Sequence, residues 1–83
     1  KELTIKESDF TESSFYNVEL NKTILDDNKF KESEFVHINL QGIDFSTCDI
    51  TSIKIEERSL RGIKVNQFQA LELAVLLGIE IVN

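Results

Sequence analysis

The chain has 83 residues, of which 29% are charged and 41% hydrophobic, and its formal net charge at pH 7 is −6. The acidic balance argues against nucleic-acid binding, the single cysteine excludes an internal disulfide, and the longest uninterrupted apolar stretch, residues 73–77, is too short to cross a membrane. No signal peptide is recognisable, so a cytoplasmic protein without a membrane partner is expected.

The sequence from residue 5 to residue 65 repeats with a period of five, and every fifth position is large and apolar, thirteen times in succession. Five residues of an α-helix advance about 500°, so these side chains would not share one face of a helix. In a flat strand they would alternate between the two faces. The central positions are Ile5, Phe10, Phe15, Leu20, Leu25, Phe30, Phe35, Leu40, Phe45, Ile50, Ile55, Leu60 and Val65.

A chain that turns a corner after each repeat places every central residue on one axis. Four corners make one coil of twenty residues, and stacked coils pair their backbone groups in a parallel ladder. The repeats, such as "SDFTE" at residues 8–12, resemble the pentapeptide repeat family, in which a small inward residue precedes the large one by two positions. The resemblance implies an all-β solenoid, a right-handed quadrilateral β-helix of roughly three coils, over residues 1–65.

A second set of inward positions precedes the central ones by two residues. Its members are Ser8, Ser13, Val18, Thr23, Asn28, Ser33, Ile38, Ile43, Cys48, Ile53, Arg58 and Ile63. Cys48 is interpreted as a buried apolar residue, and the amide of Asn28 needs partners among Ser8, Cys48 or backbone groups. Burying an unpaired guanidinium is prohibitive, so the coil is expected to deviate at Arg58 and let it reach solvent or a carboxylate such as Glu56 or Glu57.

The five-residue period ends at residue 66, and a capping unit is predicted for residues 66–83. Asn66 is a suitable N-cap, Gln69 completes a capping box, and Gly78 is a typical left-handed residue after a helix. The segment between them is rich in helix formers, and "IEIVN" at residues 79–83 alternates like a short strand. The sequence thus predicts an α-helix and a short strand that close the solenoid.

The predicted helix has apolar residues on most of its surface, more than one coil end can cover. We therefore expect a two-fold homodimer through residues 66–83. The alternative is a monomer whose apolar residues all fold inward. The predicted dimer contacts are Phe68, Leu71, Val75, Leu76, Ile79 and Ile81.

The C-terminal sequence "LRGIKVNQFQALELAVLLGIEI" resembles the quinolone-resistance, topoisomerase-protecting branch of the pentapeptide repeat family. The matching residues are Leu60, Gly62, Val65, Gln69, Ala70, Leu77, Gly78 and Ile79. This resemblance implies a dimeric, DNA-mimicking rod that inhibits or protects DNA gyrase or topoisomerase IV. One acidic corner is expected to face such a partner, formed by Glu7, Glu12, Asp26, Asp27 and Glu32.

A second hypothesis is a structural or interaction solenoid with an unrelated partner. No enzyme motif, cofactor site or metal site is recognised, since the three glycines are far apart and His37 is the only histidine. Because the sequence begins within the repeat, we expect it to be a piece of a longer chain whose further coils cover the first one.

Overall fold

The computed structural model describes residues 3–82, which form a rod of 42 × 23 × 23 Å. Short strands are followed by a 3₁₀ helix and one α-helix. The strands are β1 (Leu3–Lys6), β2 (Ser14–Tyr16), β3 (Thr23–Asp26), β4 (Glu34–Val36) and β5 (Lys54–Ile55), the 3₁₀ helix is Glu57–Leu60, and α1 is Gln67–Leu76. These elements form a β-helix-like repeat fold with a helix at its C-terminal end.

All strand pairs are parallel, and each joins residues twenty positions apart. β1 pairs with β3, so that Ile5 lies opposite Leu25. β2 pairs with β4 and β4 with β5, which brings Phe15, Phe35 and Ile55 into one row. One circuit of the repeat therefore takes twenty residues, which is the period that the fivefold spacing predicts for a chain with four corners.

Strand pairing covers two sides of the predicted square, and isolated bridges join the coils on a third. Isolated parallel bridges link Asp9 to Lys29, Lys29 to Asp49, and Asp44 to Lys64. Within residues 3–82, the fourth side, at residues 18–21 and 38–41, contains no strand or bridge. Each side spans five residues including its corner, so few residues remain to pair. The predicted solenoid is thus realised as short strands and single bridges, without strand pairing around all four sides.

The central residues point inward along the whole repeat, and none of the thirteen is exposed. Burial is deepest in the middle of the rod, where Leu25, Phe30, Phe35, Leu40, Phe45 and Ile50 are at most 6% exposed. The first and last members of the set are half-buried. A side chain is sealed from water when a coil lies on one side of it and a further coil or α1 lies on the other.

Phenylalanine rings stack along two of the columns. The rings of Phe10 and Phe30 lie 5.2 Å apart at an angle of 11°, and those of Phe15 and Phe35 lie 5.1 Å apart at the same angle. Neighbouring columns meet edge to face, as between Phe30 and Phe45. Both arrangements are favourable for aromatic quadrupoles, so the rings fill the axis while contributing directional contacts.

The second inward set mostly lies inside, with Val18 as a correction and Arg58 as the expected deviation. Val18 is 40% exposed. Arg58 points outward, and Ser59 is buried in its place because the 3₁₀ helix advances the inward position by one residue. Arg58 Nε instead donates to Glu56 Oε2 at 3.0 Å, as the cost of burying a guanidinium predicts.

The corners are built from residues with left-handed backbone angles. Such a residue follows a central position by two in almost every repeat. The non-glycine members are Glu7, Glu12, Asn17, Lys22, Asp27, Glu32, His37 and Ser52, with φ between 47° and 62°. This conformation is unfavourable for residues with a Cβ, and it turns the chain so that all eight side chains are exposed.

The strand predicted over residues 79–83 is wrong for residues 79–82, which are irregular, and residue 83 lies outside the described residues. A strand needs an edge to pair with, and α1 occupies the end of the coil stack. The backbone N–H of Ile79 instead donates to the carbonyl of Ala74 at 2.8 Å, and that of Gly78 donates to Val75 at 3.0 Å. With φ of +81° at Gly78, these bonds form a Schellman motif that ends the helix.

Candidate interaction surfaces

The α1 helix begins at a complete capping box, as the sequence predicts. Asn66 Oδ1 accepts a hydrogen bond from the Gln69 backbone N–H at 2.9 Å, and Gln69 Oε1 accepts one from the Asn66 backbone N–H at 2.8 Å. Asn66 Nδ2 also donates to the carbonyl of Ser46 at 2.8 Å. One residue thus starts the helix and ties it to the coil below.

The side chain of Gln69 has a second function that sequence reasoning missed. It is only 4% exposed, and its Nε2 donates to the carbonyl oxygens of Phe45 at 2.8 Å and Cys48 at 2.7 Å. These carbonyls belong to the last coil, and the described residues form no further coil beyond it that could donate hydrogen bonds to them. The capping box predicted the backbone contact of Gln69, but nothing local in the sequence indicates that its amide reaches residues more than twenty positions away.

The outer face of α1 and the tail after it form an exposed apolar surface, here called the helix patch. Only Leu73 of the helix packs as a half-buried residue against the core cluster. All six predicted dimer residues are exposed, with Phe68 at 80% and Val75 at 67%. The helix patch comprises Phe68, Leu71, Val75, Leu76, Leu77, Ile79, Ile81 and Val82. A surface of this composition is typical of a protein contact.

A groove runs beside the helix patch, between α1 and the third coil. Its apolar lining includes Ile50, Ile53, Leu73, Val75 and Leu76, and its volume is about 330 Å³. The groove and the helix patch share Val75 and Leu76, so a partner that covers one can reach the other.

The five acidic residues predicted to face a partner lie at two neighbouring corners instead of one. Glu7 and Asp27 line one depression, and Glu12 and Glu32 line another. Asp26 directly precedes the first of these corners. The two corners are separate because residues of one corner are twenty positions apart, whereas the next corner comes five positions later.

Lysines lie between the two acidic corners. The backbone of Lys29 is joined by isolated β-bridges to Asp9 of one neighbouring coil and to Asp49 of the other. Lys31 is close enough to Asp49 to lower the pKa of that carboxyl, after the larger effects of its hydrogen bonds with Thr51. The negative surface is therefore interrupted by a side on which lysines and aspartates are mixed.

Three aspartates on the sides of the coils accept hydrogen bonds from the backbone N–H two residues later. The pairs are Asp9–Thr11 at 2.9 Å, Asp44–Ser46 at 2.8 Å and Asp49–Thr51 at 3.0 Å. In each pair, hydrogen bonds from the side chain and then the backbone of the later residue lower the pKa of the aspartate, and a nearby lysine lowers it further. These carboxylates serve as turn-forming acceptors.

A polar cluster at the corner that contains His37 was only partly predicted. Glu56 Oε1 accepts the backbone N–H of His37 at 2.9 Å and lies 3.6 Å from His37 Nδ1, while its Oε2 accepts from Arg58. The backbone hydrogen bond from His37 and then the bond from Arg58 lower the pKa of Glu56. The His37 ring also meets Tyr16 edge-on at 5.6 Å. Glu56 thus joins two coils across a left-handed corner.

Among residues 3–82, no group of three or more His, Cys, Asp and Glu side chains could hold a metal ion. In the same residues, no helix has both the length and the apolarity that crossing a membrane requires.

Comparison with known protein families identifies the repeat. Residues 8–46 match the family model for pentapeptide repeats in eight copies. The chain carries pentapeptide repeats. No curated protein matches the sequence. The pentapeptide register continues beyond the matched residues, because β5 pairs with β4 and Lys64 is bridged to Asp44 at the same twenty-residue spacing.

Proposed function

We propose that this pentapeptide-repeat chain is a non-enzymatic protein-binding rod, a right-handed quadrilateral β-helix over residues 1–65 with a dimerising cap at residues 66–83. The helix patch is the observation that carries the proposal. Phe68, Val75 and Val82 are each more than 65% exposed, and solvating a surface of this size is unfavourable unless a partner covers it.

The proposed first partner is a second copy of the chain. A two-fold axis beside the helix patch would bring two identical patches together, so that apolar residues of one chain would meet an apolar surface of the other. Glu72 is the only charged residue within the helix, which leaves little repulsion between two such faces. The groove beside α1 would accept side chains from the partner's patch.

Light scattering tests the dimer. At micromolar concentration we expect a particle of twice 9.5 kDa, and Val75→Asp should return it to the single-chain mass. Ile24→Asp is the matched control, because Ile24 is also about half exposed but lies on β3, away from α1. A wild-type particle of single-chain mass would contradict the dimer, as would equal masses for all three proteins.

The proposed second partner is a type II topoisomerase, either DNA gyrase or topoisomerase IV. Its support is the resemblance of residues 60–79 to the quinolone-resistance, topoisomerase-protecting branch, together with the acidic corners at Glu7 and Asp27 and at Glu12 and Glu32. Such corners could occupy part of a positively charged DNA-binding surface. A cytoplasmic location belongs to this proposal.

A gyrase supercoiling assay, with and without a quinolone, tests this partner. We expect the wild-type chain to inhibit supercoiling or to restore it in the presence of the drug. Glu32→Lys should weaken the effect, whereas Glu19→Lys makes the same charge change on the fourth side and should leave it intact. An inactive wild-type chain would contradict the topoisomerase proposal. Equal effects of both variants would show that the acidic corners do not contribute to the interaction.

An unrelated protein partner is the alternative, and the charge distribution favours it. Duplex DNA as long as the 42 Å rod carries about 25 charges, against a net charge of −6 here. Lys29 and Lys31 also interrupt the acidic surface. If gyrase is unaffected while the dimer is present, the rod is a structural or interaction solenoid whose partner is another protein.

A further inference from the structure

The corner that contains His37 departs from the regular corners of the rod. At a regular corner, the backbone N–H of the left-handed residue donates to a carbonyl of the next coil, as from Asn17 to Val36 at 3.1 Å. The N–H of His37 donates instead to the side-chain Oε1 of Glu56 at 2.9 Å. At this corner a carboxylate therefore replaces the backbone hydrogen bond between the second and third coils.

A cavity lies between the two coils at this corner. The 3₁₀ helix Glu57–Leu60 follows Glu56 directly, buries Ser59 and turns Arg58 outward. The cavity has a volume of about 330 Å³, and it is lined by His37, Ile38 and Asn39 of the second coil and by Arg58 and Ser59 of the third. This volume is at the lower end of the range for small-molecule pockets. The deviation of the third coil thus leaves room for a small ligand.

Ser59 is the most deeply buried polar residue of the cavity. It is 5% exposed, and within residues 3–82 its hydroxyl makes no hydrogen bond. No side-chain oxygen or nitrogen of the described residues is both fully buried and unpaired, so the hydroxyl reaches solvent through the cavity that Ser59 lines. The inward hydroxyl of Ser33, by contrast, donates to the carbonyl of Phe10. Because a buried polar group without a partner costs free energy, the Ser59 hydroxyl indicates a polar ligand.

Three further side chains offer donors to the same cavity. Arg58 Nε is held by Glu56 Oε2 at 3.0 Å, and within residues 3–82 the Nη groups of Arg58 have no hydrogen-bond partner. Asn39 Oδ1 accepts the backbone N–H of Gln41 at 3.0 Å, which leaves Asn39 Nδ2 free to donate. His37 Nδ1 lies 3.6 Å from Glu56 Oε1, and its Nε2 is a donor when the imidazole is protonated. Glu56 therefore orients two of the three side chains.

The composition of the cavity favours an anion. No carboxylate lines it, and Arg58, whose side chain is 74% exposed, places a guanidinium at its rim. A guanidinium binds phosphate through two parallel hydrogen bonds. A phosphate group presents three strong acceptor oxygens, enough for the guanidinium, the Ser59 hydroxyl and one more donor. Glu56 already accepts from Arg58 and His37, so its charge is largely balanced before a ligand arrives.

We propose that the cavity between His37 and Ser59 binds a phosphate group, either inorganic phosphate or that of a small phosphomonoester. The Nη groups of Arg58 and the hydroxyl of Ser59 donate to its oxygens, and Asn39 or protonated His37 supplies the third donor. The 3₁₀ turn then has two consequences, because it keeps the guanidinium out of the core and places it beside an inward hydroxyl. This site is independent of the helix patch and of the acidic corners.

Titration of the 83-residue chain with inorganic phosphate at constant ionic strength, followed by heteronuclear NMR, tests the site. We expect saturable shifts of the amides of His37, Asn39, Arg58 and Ser59. Ser59→Ala and Arg58→Gln should each weaken the affinity by about tenfold or more, since each removes a hydrogen bond to a charged group. Arg61→Gln is the matched control, because Arg61 directly follows the 3₁₀ helix but does not line the cavity. It should change the affinity by less than about twofold.

Thermal unfolding separates binding from a structural role of Ser59. In chloride, Ser59→Ala should keep or raise the Tm, because the hydroxyl that it removes has no partner within the described residues. Phosphate at the same ionic strength should raise the Tm of the wild type more than that of Ser59→Ala, and the difference between the two removes the general stabilisation by phosphate salts. This comparison also replaces the Arg58→Gln titration if that variant does not fold.

A titration with glycerol phosphate distinguishes the two sources of the group. Tighter binding than that of inorganic phosphate assigns the cavity to a phosphomonoester, and weaker binding assigns it to the free ion. The absence of saturable shifts in the wild type would overturn the proposal, as would tighter binding of acetate than of phosphate. Equal effects of Arg58→Gln and Arg61→Gln would show that net charge alone attracts the anion. Unchanged affinity in Ser59→Ala would show that the buried hydroxyl is not part of a site.

Discussion

The side-chain amide of Gln69 donates a hydrogen bond to the carbonyl oxygen of Phe45 at 2.8 Å, and this contact joins the helix to the last coil of the rod. The same nitrogen reaches Cys48, while the oxygen of the amide completes the capping box. One buried side chain therefore satisfies backbone groups of both the helix and the coil stack. Without this donor the carbonyl of Cys48 would lose its hydrogen bond, whereas that of Phe45 would keep the one from the Cys48 backbone N–H.

Replacing Gln69 should detach the cap. We expect Gln69→Ala to lower the free energy of unfolding by about 2–4 kcal/mol, since it removes the capping box and the donors to two carbonyls. Urea unfolding followed by circular dichroism measures the loss. Gln67→Ala is the control, because Gln67 is exposed in the same helix turn and should change stability by about 0.5 kcal/mol or less. Equal effects of the two variants would show that the Gln69 contacts do not stabilise the cap.

The position of a phenylalanine along its column should determine how much its ring contributes to the stability of the fold. Phe35→Ala removes a ring that is 1% exposed and should cost about 3–5 kcal/mol. Phe15→Ala removes its half-buried stacking partner and should cost about 1–2 kcal/mol, because the space opens to solvent. Thermal unfolding compares them, and Phe35→Leu and Phe15→Leu give the same ranking if the alanine variant fails to fold. A reversed or equal ranking would contradict the graded core.

Glu56 should make the rod sensitive to acid. Its hydrogen bonds with His37 and Arg58 lower its pKa in the folded protein, so the stability it contributes is complete above the unfolded-state pKa and is lost as the pH falls through the folded value. Glu56→Gln should therefore lower the Tm at pH 7 and leave it unchanged at about pH 2.5. Glu57→Gln is the control, because it removes the same charge at the neighbouring position. A constant difference in Tm between wild type and Glu56→Gln across this range would contradict the role of the carboxylate.

Two glycines at corners of the fourth side offer a matched steric comparison. Gly42 and Gly62 both have φ above +80°, but a Cβ on Gly62 would lie 2.7 Å from Gln41 Cγ, whereas one on Gly42 would meet nothing within 4 Å. Gly42→Ala should cost about 1 kcal/mol through backbone strain, and Gly62→Ala should cost at least about 1 kcal/mol more through overpacking. Adding Gln41→Ala to Gly62→Ala should recover the difference. If it recovers nothing, the excess cost does not come from Gln41.

The interior of the rod was largely predictable because its pattern is strictly periodic. Once neither a helix nor a flat strand could bury every fifth residue, a chain with regular corners was the remaining solution, and the twenty-residue register between Phe15 and Phe35 follows from it. The inward isoleucines illustrate how robust this pattern is. Ile38, Ile43 and Ile53 are larger than the small residue typical of their positions, yet each is at most 4% exposed.

The departures arise where a contact from outside the local segment decides the conformation. The alternation of residues 79–82 suggested a strand, but the Schellman bonds of Gly78 and Ile79 end the helix and no sheet edge is available beside them. The deviation expected at Arg58 is confirmed, and the structure adds that a 3₁₀ turn produces it by burying Ser59 instead. The acidic residues were expected at one corner, and the geometry of the coil distributes them over two.

The sequence alone determined which residues face the axis, where the repeat ends and where the helix is capped, because each of these depends on spacing or on neighbours within three or four positions. Only the tertiary structure decided how deeply each ring is buried, what the amide of Gln69 contacts and which apolar residues of α1 stay exposed. Those properties depend on groups twenty or more residues away, whose positions exist only after the coils have stacked.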